Sequence, residues 1–144
     1  MMLDNFEPID PEVMIAMLDL AEITSGMKHI ELGSGNGQFV AEAGKRGANS
    51  LGYEINKELA QMSIETHGIK VINKNVFNVD VSEADLITFW FTKLPETELL
   101  LDKLHREMKS GAKLVASPGQ ARLQWQPIKT MTLNRYQFCL FIKD

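Results

Sequence analysis

Apolar positions along this chain follow two alternating rhythms. Segments with apolar residues three and four apart read as amphipathic helices, and the short, nearly continuous apolar runs between them read as buried strands. Val13, Met14, Met17, Leu18 and Ala21 share one helical face. That helix starts at Asp10-Pro11, where Asp caps free amides and proline suits the first turn, and it ends at Gly26. Lys28 to Leu32 is a strand, Phe39, Val40, Ala41 and Ala43 mark a second helix weakened by Gly44 and Gly47, and Ser50 to Glu54 is a second strand. Asn56 caps a third helix carrying Leu59, Met62 and Ile64, closed by His67-Gly68, and Ile69 to Ile72 follow as a third strand. His67 at that helix end reads as a solvated residue. Ala84 to Phe91 is apolar almost throughout, as a central parallel strand should be. Pro95 opens a fourth helix with Leu99, Leu100, Leu104 and Met108 on one face, and Lys113 to Ala116 make a fifth strand. Arg122 to Thr130 and Thr132 to Ile142 then read as two strands so closely joined that they must pair antiparallel. The expected fold is α/β: a doubly wound, Rossmann-like, seven-stranded sheet, mostly parallel, with an antiparallel C-terminal hairpin.

The junction of the first strand and second helix carries the chemistry. Gly33, Gly35 and Gly37 alternate there, a bare turn that lets backbone N–H groups approach a ligand. A dinucleotide fingerprint would need glycine where Gln38 stands, and no Lys-Ser/Thr pair completes a phosphate loop. Glu31, at the strand's end, would repel pyrophosphate and suits a ligand bearing an ammonium and a sulfonium. Glu54 closes the second strand about 20 positions beyond Gly33, where the Rossmann geometry places an acid that accepts hydrogen bonds from ribose hydroxyls. In open α/β sheets the chemistry lies beyond the carboxyl ends of the strands, so Trp90, Phe91 and Thr92 stand nearest the reacting atoms.

Size and charge narrow the function. The chain has 144 residues, the span of one domain over 1–144. Its net charge of -4 argues against a nucleic-acid partner, which needs a concentrated basic surface. The single cysteine, Cys139, lies in the apolar run Phe138 to Ile142 and reads as a buried structural thiol; it allows neither an internal disulfide nor a multi-cysteine metal site, and no metal is expected. No run approaches the ~20 apolar residues of a membrane span, and the acidic start lacks a signal peptide's basic and apolar regions, so the expected location is cytoplasmic.

Glu31-Leu32-Gly33-Ser34-Gly35-Asn36-Gly37 resembles motif I of the class I S-adenosylmethionine-dependent methyltransferases. The closing hairpin is a feature of their sheet. The opening from Phe6 to Ala21, Gly52 to Ile55, Asn75 to Asp85, Leu100 to Ser117 and the Trp125-Gln126-Pro127 triplet, taken in that order, are similar to the small archaeal and bacterial protein-lysine methyltransferases related to the mitochondrial lysine methyltransferases. The resemblance implies S-adenosylmethionine as cofactor. Its methionine end would meet Glu31, Gly33, Ser34, Gly35 and Gly37, its ribose Glu54 with Ile55 beside it, and its adenine Asn75 and Val76. Trp90, Phe91 and Thr92 would wall the channel for the acceptor, and the segment from Asn5 to Ile9 would close over the ligand. The family's Tyr-Val-Pro-Thr-Pro is replaced here by Phe6 to Pro11, Lys74-Asn75 stands where Gly followed by Asp or Asn is usual, and Thr92 to Pro95 is less apolar than its counterpart. The Asn-Pro-Pro-Tyr motif of amide-nitrogen and adenine methyltransferases is absent, with Phe89 to Thr92 in its place. The implied acceptor is a lysine of a protein substrate. A small-molecule N- or O-methyltransferase and a module that holds the cofactor without turnover are the rival readings.

Overall fold

The computed structural model describes residues 9–90, 96–118 and 124–144. The elements are α1 (Pro11–Ala21), β1 (Lys28–Leu32), α2 (Gln38–Lys45), β2 (Asn49–Glu54), α3 (Lys57–His67), β3 (Val71–Asn73), a single 3₁₀ turn (Val76–Asn78), β4 (Leu86–Trp90), α4 (Glu96–Glu107), β5 (Lys113–Ser117), β6 (Lys129–Leu133) and β7 (Tyr136–Ile142). The strands form one sheet in the order β3-β2-β1-β4-β5-β7-β6. β1 to β5 run parallel, β7 is antiparallel to β5, and β6 is antiparallel to β7. The expected architecture is therefore the one adopted, with the order reversing between β1 and β4, where such sheets open a ligand crevice.

Local chemistry explains the boundaries. Asp10 Oδ1 accepts from the Glu12 amide at 2.9 Å with Pro11 in the first turn, and Asn56 Oδ1 accepts from Leu59 N at 3.0 Å while Gly68 closes α3 in the left-handed region. Helices cover both faces of the sheet. On one, α1 packs Val13, Met14, Met17, Leu18 and Ala21, with Phe39 and Ala43 of α2, against Leu86, Val115, Phe138 and Leu140. On the other, Leu100, Leu101, Leu104 and Met108 of α4 and its end meet Ile87, Phe89, Leu114, Ala116, Cys139 and Phe141. Along β4 the two faces alternate, so Leu86, Thr88 and Trp90 look toward α1 and α2 while Ile87 and Phe89 look toward α4. Cys139 is buried and its thiol is pushed up by that burial, as a structural cysteine should be.

Five details depart from the sequence expectation. The hairpin turns at Asn134 and Arg135 rather than near Met131, because both residues take positive φ (50° and 73°), the two-residue turn whose twist matches antiparallel strands. β6 therefore begins at Lys129, not Arg122; residues 119–123 lie outside those described. Leu99 is 58% exposed, since α4 turns Leu100, Leu101, Leu104 and Met108 inward instead. Met62 is 56% exposed, since α3 approaches the sheet through Leu59, Ala60 and Ser63. β3 is displaced to Val71–Asn73. No helix among the described residues is long and apolar enough to cross a membrane.

Candidate cofactor and acceptor site

The glycine turn is laid across the end of β2. Gly33 N and Ser34 N both donate to the Tyr53 carbonyl, at 2.8 and 3.0 Å, and Gly37 N donates to Ser34 O at 2.9 Å. Two glycines are sterically required. A Cβ on Gly37 (φ 81°) would lie 2.5 Å from Ile69 Cδ1 and 2.7 Å from Ser63 Cβ, so the small face of α3 is what admits the turn. A Cβ on Gly52 would lie 2.7 Å from Ser34 Cβ, so β2 must be bare where the turn crosses it.

Glu54 closes β2 beneath this turn, buried, and its carboxylate is held from two sides. Oε1 accepts from Gly35 N at 2.7 Å and Oε2 from Asn56 N at 2.9 Å. A carboxylate has about four acceptor positions, so both oxygens retain capacity for ribose hydroxyls. Asn73 Nδ2 ties the carbonyls of Glu54 and Ile55, each at 2.9 Å, which fixes the turn that carries them. Ile55 is half exposed beside it. Asn75 Oδ1 accepts from Phe77 N at 3.0 Å and so caps its own 3₁₀ turn, burying Val76 and leaving one lone pair on that oxygen.

Glu31 is buried at 3% exposure, and its Oε1 is hydrogen-bonded to the Thr88 hydroxyl. Burial pushes its carboxyl well above the ordinary carboxylate range, the Glu54 charge adds to this, and the Thr88 bond opposes it. Burial at this depth thus favours the protonated form of Glu31. Behind Thr88 stands His29, at 1% exposure, with Nε2 2.7 Å from Thr88 Oγ1 and Nδ1 3.0 Å from Ser50 Oγ. Burial lowers the His29 pKa to about 3, so the ring is neutral. Strand register builds this row: β1 pairs Glu31 opposite Thr88 and His29 opposite Ser50.

The sequence reading passed over His29, Ser50, Thr88, Gly52 and Asn73. A signal was present for two of them: His29 shares one face of β1 with Glu31, and Thr88 is the lone polar residue within the apolar run of β4.

At the other end of the carboxyl edge, Trp90 is half-buried and meets Tyr136 edge to face at 5.3 Å. Tyr136 is 44% exposed and follows the hairpin turn, which Asn134 Nδ2 ties to Asp10 Oδ2 at 3.2 Å. Phe91 and Thr92, the other expected wall residues, lie outside the described residues, as do residues 5–8 of the expected lid. Tyr136 was not foreseen, because its place opposite Trp90 depends on where the hairpin turns.

The donor set fits the ligand suggested by motif I. Ser34 Oγ, inside the glycine turn, is buried without a hydrogen-bond partner among the described residues, as a group awaiting a polar ligand would be. Glu31 and Glu54 offer two carboxyls to a ligand with an ammonium and a diol.

No protein-family model matches the chain. A protein-lysine N-methyltransferase from Saccharolobus islandicus is 30% identical over 131 residues, spanning 85% of this chain and 80% of that protein. A ribosomal RNA small subunit methyltransferase A from Pediococcus pentosaceus is 32% identical over 78 residues, 51% of this chain and 26% of that protein. Among solved structures, an RNA methyltransferase from Salinibacter ruber in complex with S-adenosyl-L-homocysteine superposes with a TM-score of 0.85 at 24% identity, over 94% of this chain and 93% of that chain; at that identity it speaks for the fold.

Proposed function

The chain belongs to the class I S-adenosylmethionine-dependent methyltransferases, with S-adenosylmethionine as cofactor, and from that premise we propose that it methylates lysine side chains of proteins. The observation that carries the lysine reading is the likeness to a protein-lysine N-methyltransferase across 80% of that protein's length. In this reading residues 1–144 act as one domain. Glu31, Gly33, Ser34, Gly35 and Gly37 hold the methionine end, Glu54 with Ile55 beside it the ribose, and Asn75 and Val76 the adenine.

The bound cofactor supplies a methyl group made electrophilic by its sulfonium. The chain's own task is to place an uncharged amine in line with that methyl. Trp90 and Tyr136 offer an apolar wall along which an alkylamine can lie, with Asp10 near the turn that presents Tyr136. An ammonium lying along this wall loses water, and desolvation there favours its loss of a proton.

A second reading, methylation of an RNA base, is favoured by the partial likeness to ribosomal RNA methyltransferases. The net charge of -4 weighs against it, since RNA binding draws on phosphate neutralisation. The deciding experiment incubates the purified 144-residue chain with radiolabelled S-adenosylmethionine and a lysate, then separates protein, RNA and small molecules. Label in protein that mass spectrometry resolves as N-methyllysine supports the proposal. Label confined to RNA or to small molecules replaces it.

A further inference from the structure

Three side chains behind Glu31 make a continuous row: Thr88 on Glu31, His29 on Thr88, Ser50 on His29. Each is amphoteric. A hydroxyl and a neutral imidazole both carry one donor and at least one acceptor, so the row is fully bonded in either direction. With Glu31 neutral, its O–H donates to Thr88 Oγ1, the Thr88 hydroxyl donates to His29 Nε2, and His29 Nδ1–H donates to Ser50 Oγ. With Glu31 ionised, every bond reverses: the Ser50 hydroxyl donates to Nδ1, Nε2–H donates to Thr88 Oγ1, and the Thr88 hydroxyl donates to the carboxylate. His29 is neutral in both arrangements and differs only in which nitrogen is protonated.

We propose that Thr88, His29 and Ser50 form a reversible proton path to Glu31, which lets this buried carboxyl stay neutral in the free protein and ionise when the cofactor's ammonium arrives. The inference rests on the placement of that ammonium beside Glu31. The protons balance. The Glu31 O–H bond breaks as one forms on Thr88, the Thr88 proton passes to Nε2, the Nδ1 proton passes to Ser50, and the Ser50 proton leaves to water. Ser50 is half-buried, so the path starts in the interior and ends within reach of solvent.

The surroundings explain why such a path is needed. An isolated carboxylate at this depth would be costly, and a permanently neutral acid would attract an ammonium weakly. Burial favours the proton on Glu31, and Glu54, facing it from β2 with like charge, adds to that hold. From α2, Phe39, Val40 and Ala43 are turned inward, while Glu42 and Lys45 pair with each other at 3.1 Å at the surface. His29 supports capture of the cofactor through Glu31 and is a positioning residue.

Nitrogen-15 NMR of the histidine rings in the full chain tests the path, with three histidines to assign. Expected is a His29 ring protonated on Nδ1 in the free protein at pH 6.5, switching to Nε2–H when S-adenosylhomocysteine saturates it, and switching likewise in the free protein as rising pH ionises Glu31. Calorimetry in buffers of different ionisation enthalpy should count about one proton released per cofactor bound, and none for Glu31→Gln. Thr88→Val, close in shape but without a hydroxyl, should uncouple the ring from both signals and weaken cofactor binding about tenfold. Thr88→Ser should restore them. Cofactor binding with the same His29 tautomer throughout and no proton release overturns the path alone. A tautomer that responds to pH in a protein binding no cofactor supports the path and overturns the placement of the ammonium.

Discussion

The two halves of the sheet's carboxyl edge are built to opposite specifications. Where β1 and β2 end, polar groups are buried and held: Glu54 by two backbone amides, Glu31 by Thr88, the glycine turn by the Tyr53 carbonyl. Neighbouring side chains lie so close to Gly37 and Gly52 that one added Cβ would collide. Where β4 and β7 meet the same edge, a half-buried Trp90 and a largely exposed Tyr136 touch only edge to face on a two-residue turn. A ligand that never changes rewards a rigid, prebonded cradle. A macromolecular acceptor rewards open aromatic surface, which contributes contact area at low conformational cost.

On that contrast, the largest effects come from filling space at the cofactor half. Gly37→Val would set a branched side chain in a left-handed position 2.5 Å from Ile69 Cδ1, and both strain and overpacking follow. Expected is a loss of roughly 2–4 kcal/mol in stability with cofactor binding abolished, read by denaturant unfolding and calorimetry. Wild-type stability in that variant would show that α3 gives way freely and that the cradle is not rigid.

Next in size is Glu54→Ala. Two backbone amides lose their carboxylate acceptor along with the proposed ribose contact, so the cofactor dissociation constant should rise about 10- to 100-fold, in keeping with ~1.5–3 kcal/mol for such bonds. An unchanged constant would remove Glu54 from the ribose. The acceptor half should behave in the converse way: Tyr136→Ala should leave cofactor affinity within about twofold while lowering kcat/KM toward a lysine peptide about tenfold, and Tyr136→Phe should retain most of the rate. Equal losses of cofactor affinity in all three variants would erase the distinction between the halves.

The same contrast governs what could be read from sequence. The order of elements and the glycine turn were legible because they depend on local periodicity and on residue types that few other backbones require. The place of Glu54 at the end of β2, beneath the glycine turn, was legible through its distance from Gly33. Gly52 was not, because its need arises from Ser34 crossing β2, a contact between distant segments. The Ser50-His29-Thr88-Glu31 row was not, because it requires knowing that β1 lies between β2 and β4 in one particular register. Leu99 and Met62 were misplaced because two neighbouring apolar stripes compete on α4 and α3, and only the packed sheet chooses between them.

The smallest expected effect concerns stability, and it separates the two buried titratable groups of the cradle. His29 binds a proton near 6.5 when unfolded and only near 3 when folded, so its contribution is complete above 6.5 and is lost as pH falls toward 3. Glu31 is opposite in sign. Its folded carboxyl holds the proton above the unfolded value of 4.5, so its contribution is complete below 4.5 and is lost as pH rises through the folded value. Glu31→Gln cannot ionise and keeps an oxygen for Thr88, so it escapes that loss. Its Tm should exceed the parent's by a few degrees at pH 7.5, the scale on which about 1 kcal/mol moves a domain of this size, and by less at pH 4.5. The gain would mark Glu31 as a residue retained for binding at the expense of the free protein's stability. An equal difference in Tm at both pH values would mean that Glu31 is already ionised in the free protein, and the cofactor half would then be a preformed anion site.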